Sequence, residues 1–176
     1  VPLATLWWWG PLLLQGRYGF NFTQYTEQAV ATTTTTSITE VVRGTGLWTA
    51  RLMIRNQPWV PVGETFTGAA PAIAATVLVA ALGLVGLTHP GLRERRFLIT
   101  SFAVGVLGMV VGYRHAGGSP LARVVHEAID GPLAPFRNLH KLAPLVAIAL
   151  AAGMAHTVAV LTRWLRRRTA AGSPGP

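Results

Sequence analysis

Polar and apolar positions along this chain come in blocks, not alternations. Three uncharged runs, 69–87, 97–113 and 142–162, are separated by one short basic connection and one longer mixed segment. At 1.5 Å per residue the first run makes a helix of about 28 Å, close to the hydrocarbon thickness of a bilayer. The second spans only marginally, and the third is the longest. Residues 1–15 are apolar but too short to cross, and the Trp7, Trp8, Trp9 cluster suits an interfacial aromatic belt. That stretch is expected to be the end of a truncated spanning helix. The pattern predicts an all-α, polytopic membrane chain with about four transmembrane helices.

Charge then sets the orientation. The connection 88–96 holds Arg93, Arg95 and Arg96 against Glu94, and the tail 163–176 holds Arg163, Arg166, Arg167 and Arg168 with no acid. The longer segments 17–68 and 114–141 mix their arginines with Glu27, Glu40, Glu64, Glu127 and Asp130. Basic bias in short loops marks the cytoplasmic side. Segments 88–96 and 163–176 are therefore expected inside, and 17–68 and 114–141 outside, in a multi-pass plasma-membrane protein. Residues 169–176 read as a linker, and the chain as a fragment of something larger.

The outer segments carry local structure signals. Ser37 to Glu40, "SITE", is a capping box, in which the hydroxyl takes an amide proton while the glutamate reaches back. Thr32 to Thr36 is β-branched and stiff, which favours a strand or tight loop. Gly44 and Gly46 break the helix, and "LWTARLMI" resumes as an amphipathic piece with Arg51 and Arg55 exposed. Ser119 and Pro120 read as an N-cap followed by proline at the first helical position. Leu121, Val124, Val125 and Ala128 mark one apolar stripe, and Gly131 and Pro132 end it. Short helices lying along the membrane surface are expected. Gly108 and Gly112 permit close helix approach and are read as packing. His156, near the basic end of the last run, is read as interfacial.

Composition narrows the chemistry. The chain is 51% hydrophobic and 12% charged, about half the charge share of a soluble domain. A net charge of +9 would suit nucleic acid, but the densest basic clusters flank apolar runs directly, so no nucleic-acid partner is expected. Without cysteine there is no disulfide, thiolate catalysis or zinc–thiolate site. His126–Glu127 lacks the second histidine of a metalloprotease helix, and no phosphate loop or serine elbow is present. No metal site is expected, and no cofactor is assigned.

One stretch stands out. In "PLAPFRNLHK", 132–141, Arg137, Asn138, His140 and Lys141 crowd against the mouth of the last apolar run. Arg137 offers a bidentate fork and Lys141 a point charge, both suited to phosphate. Asn138 and His140 can bond phosphate oxygens or sugar hydroxyls. The bland reading is an interfacial anchor with the two cations reaching headgroups. Arg17 and Glu27 are further candidates that can also simply pair, and Arg43 can merely complement a helix end.

"GRYGFNFTQYTEQAVATTTTTSITEVVRGTGLW", 16–48, resembles a segment of the mycobacterial α-(1→3)-arabinofuranosyltransferases that build cell-wall arabinan. "ERRFL" followed by an apolar span, and "DGPLAPFRNLHK", resemble that family in the same order, so the likeness covers nearly the whole chain. Fourteen arginines to one lysine fits a high-GC, actinobacterial genome. The resemblance implies that 1–168 belongs to a GT-C-type transmembrane domain. It also implies a glycosyltransferase that takes arabinofuranose from decaprenyl-phosphoryl-arabinose, a polyprenyl-phosphate sugar donor, and transfers it to an arabinan acceptor at the bilayer surface. The family's catalytic aspartate lies in an earlier outer loop, so no catalytic residue is assigned here and the fragment alone is expected to be inactive. Arg17, Tyr18, Glu27, Arg43, Arg137, Asn138, His140 and Lys141 match the family pattern. The chain departs from it at Gln24 and at or near Ala143, where acids are expected, which puts the acceptor in question. The alternatives are a transporter or flippase segment, and a non-catalytic membrane subunit. A transporter should break its helices at midmembrane, and these runs carry prolines only near their outer ends.

Overall fold

The computed structural model describes residues 27–171 together with Trp7, Gly10, Pro11, Leu14, Arg17 and Tyr18. Most of the expected first span, 1–15, and the Asn21 to Gln24 region lie outside the described residues. Short elements come first: helix α1 (Ala29–Thr33), α2 (Ile38–Arg43), a 3-10 turn (Trp48–Arg51), an antiparallel ribbon of β1 (Met53–Ile54) with β2 (Gln57–Pro58), and α3 (Pro61–Gly68). Long helices α4 (Ala70–Thr88) and α5 (Arg95–Val110) follow. After α6 (Ala122–Asp130), two 3-10 turns (Ala134–Phe136 and Leu139–Leu142) lead into α7 (Ala143–Ala171).

Helix α7 is the axis: α4 and α5 both pack along it, and α2 leans on all three. Two buried clusters hold the layer, one of Val41, Val106, Met109 and Val146, the other of Leu87, Leu98 and Ala149. Two stretches, Ala70–Thr88 and Leu139–Thr169, are long and apolar enough to cross a membrane. The expected marginal span at 97–113 is a shorter helix than these two. Its helix has 16 residues, about 24 Å, and opens with Arg95 and Arg96. Arg95 Nε donates to the Leu87 carbonyl at 3.1 Å, which ties the start of α5 to the end of α4.

The α4–α7 crossing is made by main chain. A methyl on Gly86 would run into the Gly153 carbonyl, one on Gly153 into the Gly83 carbonyl, and one on Gly83 would lie 2.8 Å from the Leu150 oxygen. Thr157 Oγ1 donates to the Leu82 carbonyl at 2.8 Å across the same contact. Glycines let two backbones approach where any Cβ would hold them apart. Gly108 and Gly112 are packing positions too, against Leu142 and Thr33.

Four local expectations need correction. The threonine run begins in helix α1 and turns at Thr34–Thr35, with no strand. Thr33 and Thr34 turn their hydroxyls back onto the carbonyls of Ala29 and Val30, which satisfies them inside a short helix. Only half of the capping box forms: Ser37 Oγ accepts from the Glu40 amide at 3.3 Å, while the Glu40 carboxylate pairs with Arg43 and Arg51. "LWTARLMI" is a 3-10 turn followed by a ribbon, so the fold is helical with one small β element. Finally, α6 starts two residues later than expected, because Ser119 Oγ accepts from Leu121 and the Ser119 carbonyl from Ala122. It buries Ala122, His126 and Ile129 while Leu121 and Val124 stay exposed. The polar His126 won the inward position because partners wait for it there.

Candidate functional site

The two longer polar segments meet in a polar cluster. Asp130, at the end of α6, accepts from the Ala29 amide at 2.9 Å, the first amide of α1. Its carboxylate also lies 3.2 Å from Arg137 Nε. The Arg137 guanidinium reaches back to the Ile129 carbonyl at 3.2 Å and the Asp130 carbonyl at 3.4 Å, capping the open end of α6. Thr32 Oγ1 donates to the Arg137 carbonyl at 3.1 Å, and His140 Nε2 donates to the Thr32 carbonyl at 3.1 Å. His126 Nε2 lies 2.8 Å from both the Gly112 carbonyl and Thr33 Oγ1. A carbonyl can only accept, so that nitrogen carries the proton. Arg137 Nη1 and His126 Nδ1 are buried without a hydrogen-bond partner.

Arg43 organises a second place. Its Nε donates to Thr76 Oγ1 at 3.0 Å, Nη1 to Glu40 Oε1 at 2.8 Å, and Nη2 to the Phe66 carbonyl at 2.9 Å. One side chain thus joins α2, α3 and α4. Glu40 balances it and also takes bonds from Thr45 Oγ1 at 2.7 Å and Arg51 at 3.0 Å. Beneath Arg43 lies a groove of about 800 Å³ between α2, α4 and α7. Its walls are apolar, from Val41, Val79, Met109, Ala147, Leu150 and Met154, and its polar lining includes Arg43 and His140.

The sequence candidates therefore separate. Arg43 and His140 line one groove although 97 positions apart. Arg137 is turned inward with 5% of its side chain exposed, and its fork faces Asp130 and two carbonyls. Asn138 caps the following turn by accepting from the His140 amide at 3.1 Å. Lys141 is exposed beside them. Arg17 lies 5.8 Å from the ring of Tyr18, both exposed, and Glu27 stands two residues before α1. Sequence reasoning missed Thr76, Thr32 and Asp130 as organising groups. Thr76 had a signal, because it is the one hydroxyl in the apolar run 69–87. Among the described residues no cluster of three or more metal-binding side chains occurs.

Comparison with known proteins decides the family. The family described as "Alpha-(1->3)-arabinofuranosyltransferase, N-terminal GT-C domain" matches residues 1–173. The chain belongs to it. An α-(1→3)-arabinofuranosyltransferase of Mycolicibacterium smegmatis (strain ATCC 700084 / mc(2)155) is 38% identical over 154 residues, which cover 88% of this chain and 11% of that protein. Its namesake from Mycobacterium tuberculosis (strain ATCC 25618 / H37Rv) is 37% identical over 157 residues, with the same shares of 88% and 11%. The chain thus spans about a tenth of the length of these relatives. No solved structure matches.

Proposed function

We propose that the protein to which this chain contributes transfers arabinofuranose from decaprenyl-phosphoryl-arabinose to cell-wall arabinan, of arabinogalactan or lipoarabinomannan. The transfer would take place at the outer face of the plasma membrane. The names of the relatives supply the sugar chemistry, and the groove beneath Arg43 carries the donor assignment. A polyprenyl phosphate is a long hydrocarbon with a charged head. This groove is apolar along its walls and has a guanidinium and an imidazole in its lining. In this reading Arg43, His140 and Lys141 face the donor head. Arg137 and Asn138 shape the turn that presents them, and Arg17 and Glu27 serve the acceptor side. The catalytic aspartate comes from outside this chain. In this reading the chain makes four passes, with α5 the shortest of the three described, and 17–68 and 114–141 lie outside, so that the Arg43 end of the groove would open at the outer surface.

The test is transfer by the full-length enzyme with a long-chain donor and a short-chain analogue. Ala147→Phe should fill the groove and raise KM for the long-chain donor about tenfold, the equivalent of 1.4 kcal/mol, while sparing the short one. Equal effects on both donors would remove the groove from donor binding. Impermeant thiol reagents should label Thr34→Cys and Ser119→Cys from outside but not Thr88→Cys. Outside labelling at Thr88 would overturn the four-pass arrangement.

A further inference from the structure

The ribbon between α2 and α3 has no core of its own. Its register pairs Met53 with Pro58 and Ile54 with Gln57, and the Trp59 amide extends it by donating to the Leu52 carbonyl at 2.8 Å. Side chains alternate between the two faces of such a ribbon. Met53 therefore sits on one face and Ile54 with Trp59 on the other, and they are 59%, 46% and 61% exposed. Two residues per strand cannot bury both faces against one another. The following helix α3 repeats the pattern, with Val62 and Phe66 exposed one turn apart. Large apolar groups on both sides of a projecting ribbon suit an apolar surrounding medium better than water.

Three further observations name the medium. Helix α3 is separated from α4 by Ala69 alone, and α4 is long and apolar enough to cross a bilayer. The ribbon is held against α3, since the 3-10 turn that leads into it packs on the start of that helix: a Cβ on Gly63 would lie 2.6 Å from the Ala50 side chain. The tip residues Arg55 and Asn56 have φ of 51° and 61°. Such a two-residue turn favours Asn-Gly, and arginine in its first position is held at positive φ against its preference. The strained position puts a cation, Arg55, at the tip of an apolar finger, with Arg51 at its base. Tryptophan and arginine beside aliphatic groups are the residues that settle at the level of lipid headgroups.

We propose that residues 51–59 together with the Val62–Phe66 face of α3 form a lipid-binding surface that lies in the outer interface of the bilayer. Arg55 would hold anionic headgroups there, while Arg51 at the base stays paired with Glu40. The proposal rests on the reading of α4 as a membrane-spanning helix.

The test uses the full-length protein in vesicles of phosphatidylcholine, with and without phosphatidylglycerol. Spin labels go on Ile54→Cys, on Leu78→Cys as the lipid reference in mid-α4, and on His115→Cys as the water reference. The Ile54 label should be relaxed more by oxygen than by a water-soluble nickel chelate, as at Leu78, and the His115 label should show the reverse. Arg55→Gln should lower the lipid-inserted population of the Ile54 label about fivefold where phosphatidylglycerol is present, and leave it unchanged in phosphatidylcholine alone. Chelate access at Ile54 would overturn the proposal, and so would shielding from both reagents, which means cover by another part of the protein. An Arg55→Gln effect independent of lipid charge would overturn the headgroup role. A water-exposed Leu78 would instead sink the membrane reading of α4 and take the proposal with it.

Discussion

Where α4 crosses α7, contact is made by main chain, with Gly83 and Gly86 against Gly153 and a single threonine bond alongside. Where α1 meets α6, contact is made by polar side chains, with the part-exposed Asp130 and the buried Arg137, Thr32, Thr33, His126 and His140 sharing one network. In the first region side-chain atoms have been removed until two helices touch. In the second, charged and hydroxyl groups have been brought in to complete helix ends that would otherwise be left open. The crossing should resent added volume, and the network should resent a lost partner. The wall of the groove draws on both, because α4 and α7 form its sides and His140 belongs to the network.

The largest expected effect is therefore in the network. Asp130→Ala leaves the Arg137 side chain, 5% exposed, with two carbonyl partners but without its carboxylate, and takes the acceptor from the first amide of α1. Removing one partner of a buried ion pair costs about 3–5 kcal/mol. Because the Asp130 side chain is 41% exposed, the lower end of about 3 kcal/mol is expected. Thermal unfolding of the full-length protein in detergent should show it. Arg137→Lys sharpens the point. A clamp that needs the fork loses stability in proportion to activity, whereas a phosphate site loses activity at an unchanged melting temperature.

Next comes Gly86→Val. Its Cβ has nowhere to go but into the Gly153 carbonyl, and main chain cannot rotate aside as a side chain can. Overpacking of this kind costs about 1–3 kcal/mol, with the groove distorted because its two sides are the helices being separated. The same valine at Gly68, where nothing lies within 4 Å, should cost far less. Equal losses at the two positions would show that the crossing is looser than drawn.

Run length and uncharged composition made α4 and α7 legible in the sequence, because a bilayer-scale apolar run is a one-dimensional signal. The same rule shifted α5 along the chain: the helix begins at Arg95, ahead of the uncharged run, where Arg95 bonds the Leu87 carbonyl, and it stops at Val110. The Gly83, Gly86 and Gly153 contact left no readable trace, since glycines are common in this chain and nothing in the order of residues says which of them face each other. The polar segments showed their helices' ends but not their inward faces. His126 broke the expected apolar stripe because its partners, Thr33 and the Gly112 carbonyl, are 93 and 14 positions away. Of the candidate residues, Arg43 and His140 could both be picked from the sequence, and their meeting in one groove required the fold. Arg137 draws attention in the sequence for its guanidinium fork, which in this fold meets the Asp130 carboxylate and the carbonyls of Ile129 and Asp130.

A smaller effect is expected at Ser37. Its hydroxyl accepts from the Glu40 amide, and Ser→Ala at an N-cap costs about 1 kcal/mol. Glu40 keeps its pairs with Arg43 and Arg51 whatever happens at Ser37. The loss should therefore stay confined to α2, visible as faster amide exchange at Glu40 with donor KM unchanged. A rise in KM would mean that the start of α2, and not only Arg43 at its end, shapes the groove.

The smallest effect separates the two regions most cleanly. Thr157→Val keeps the shape of the side chain and removes only the hydroxyl that bonds the Leu82 carbonyl at 2.8 Å. That hydroxyl is also 3.2 Å from the Gly153 carbonyl of its own helix, so the threonine has an alternative partner when the helices part. Bonds between apolar helices are worth about 0.6 kcal/mol on average, because the separated state satisfies the same groups. The Leu82 carbonyl already accepts within α4, so the valine leaves no helix end open. If the crossing is held by close main-chain packing, Thr157→Val should lower the unfolding free energy by about that amount and leave the groove intact. A loss near that of Asp130→Ala would mean that the crossing, like the network above it, depends on polar contacts.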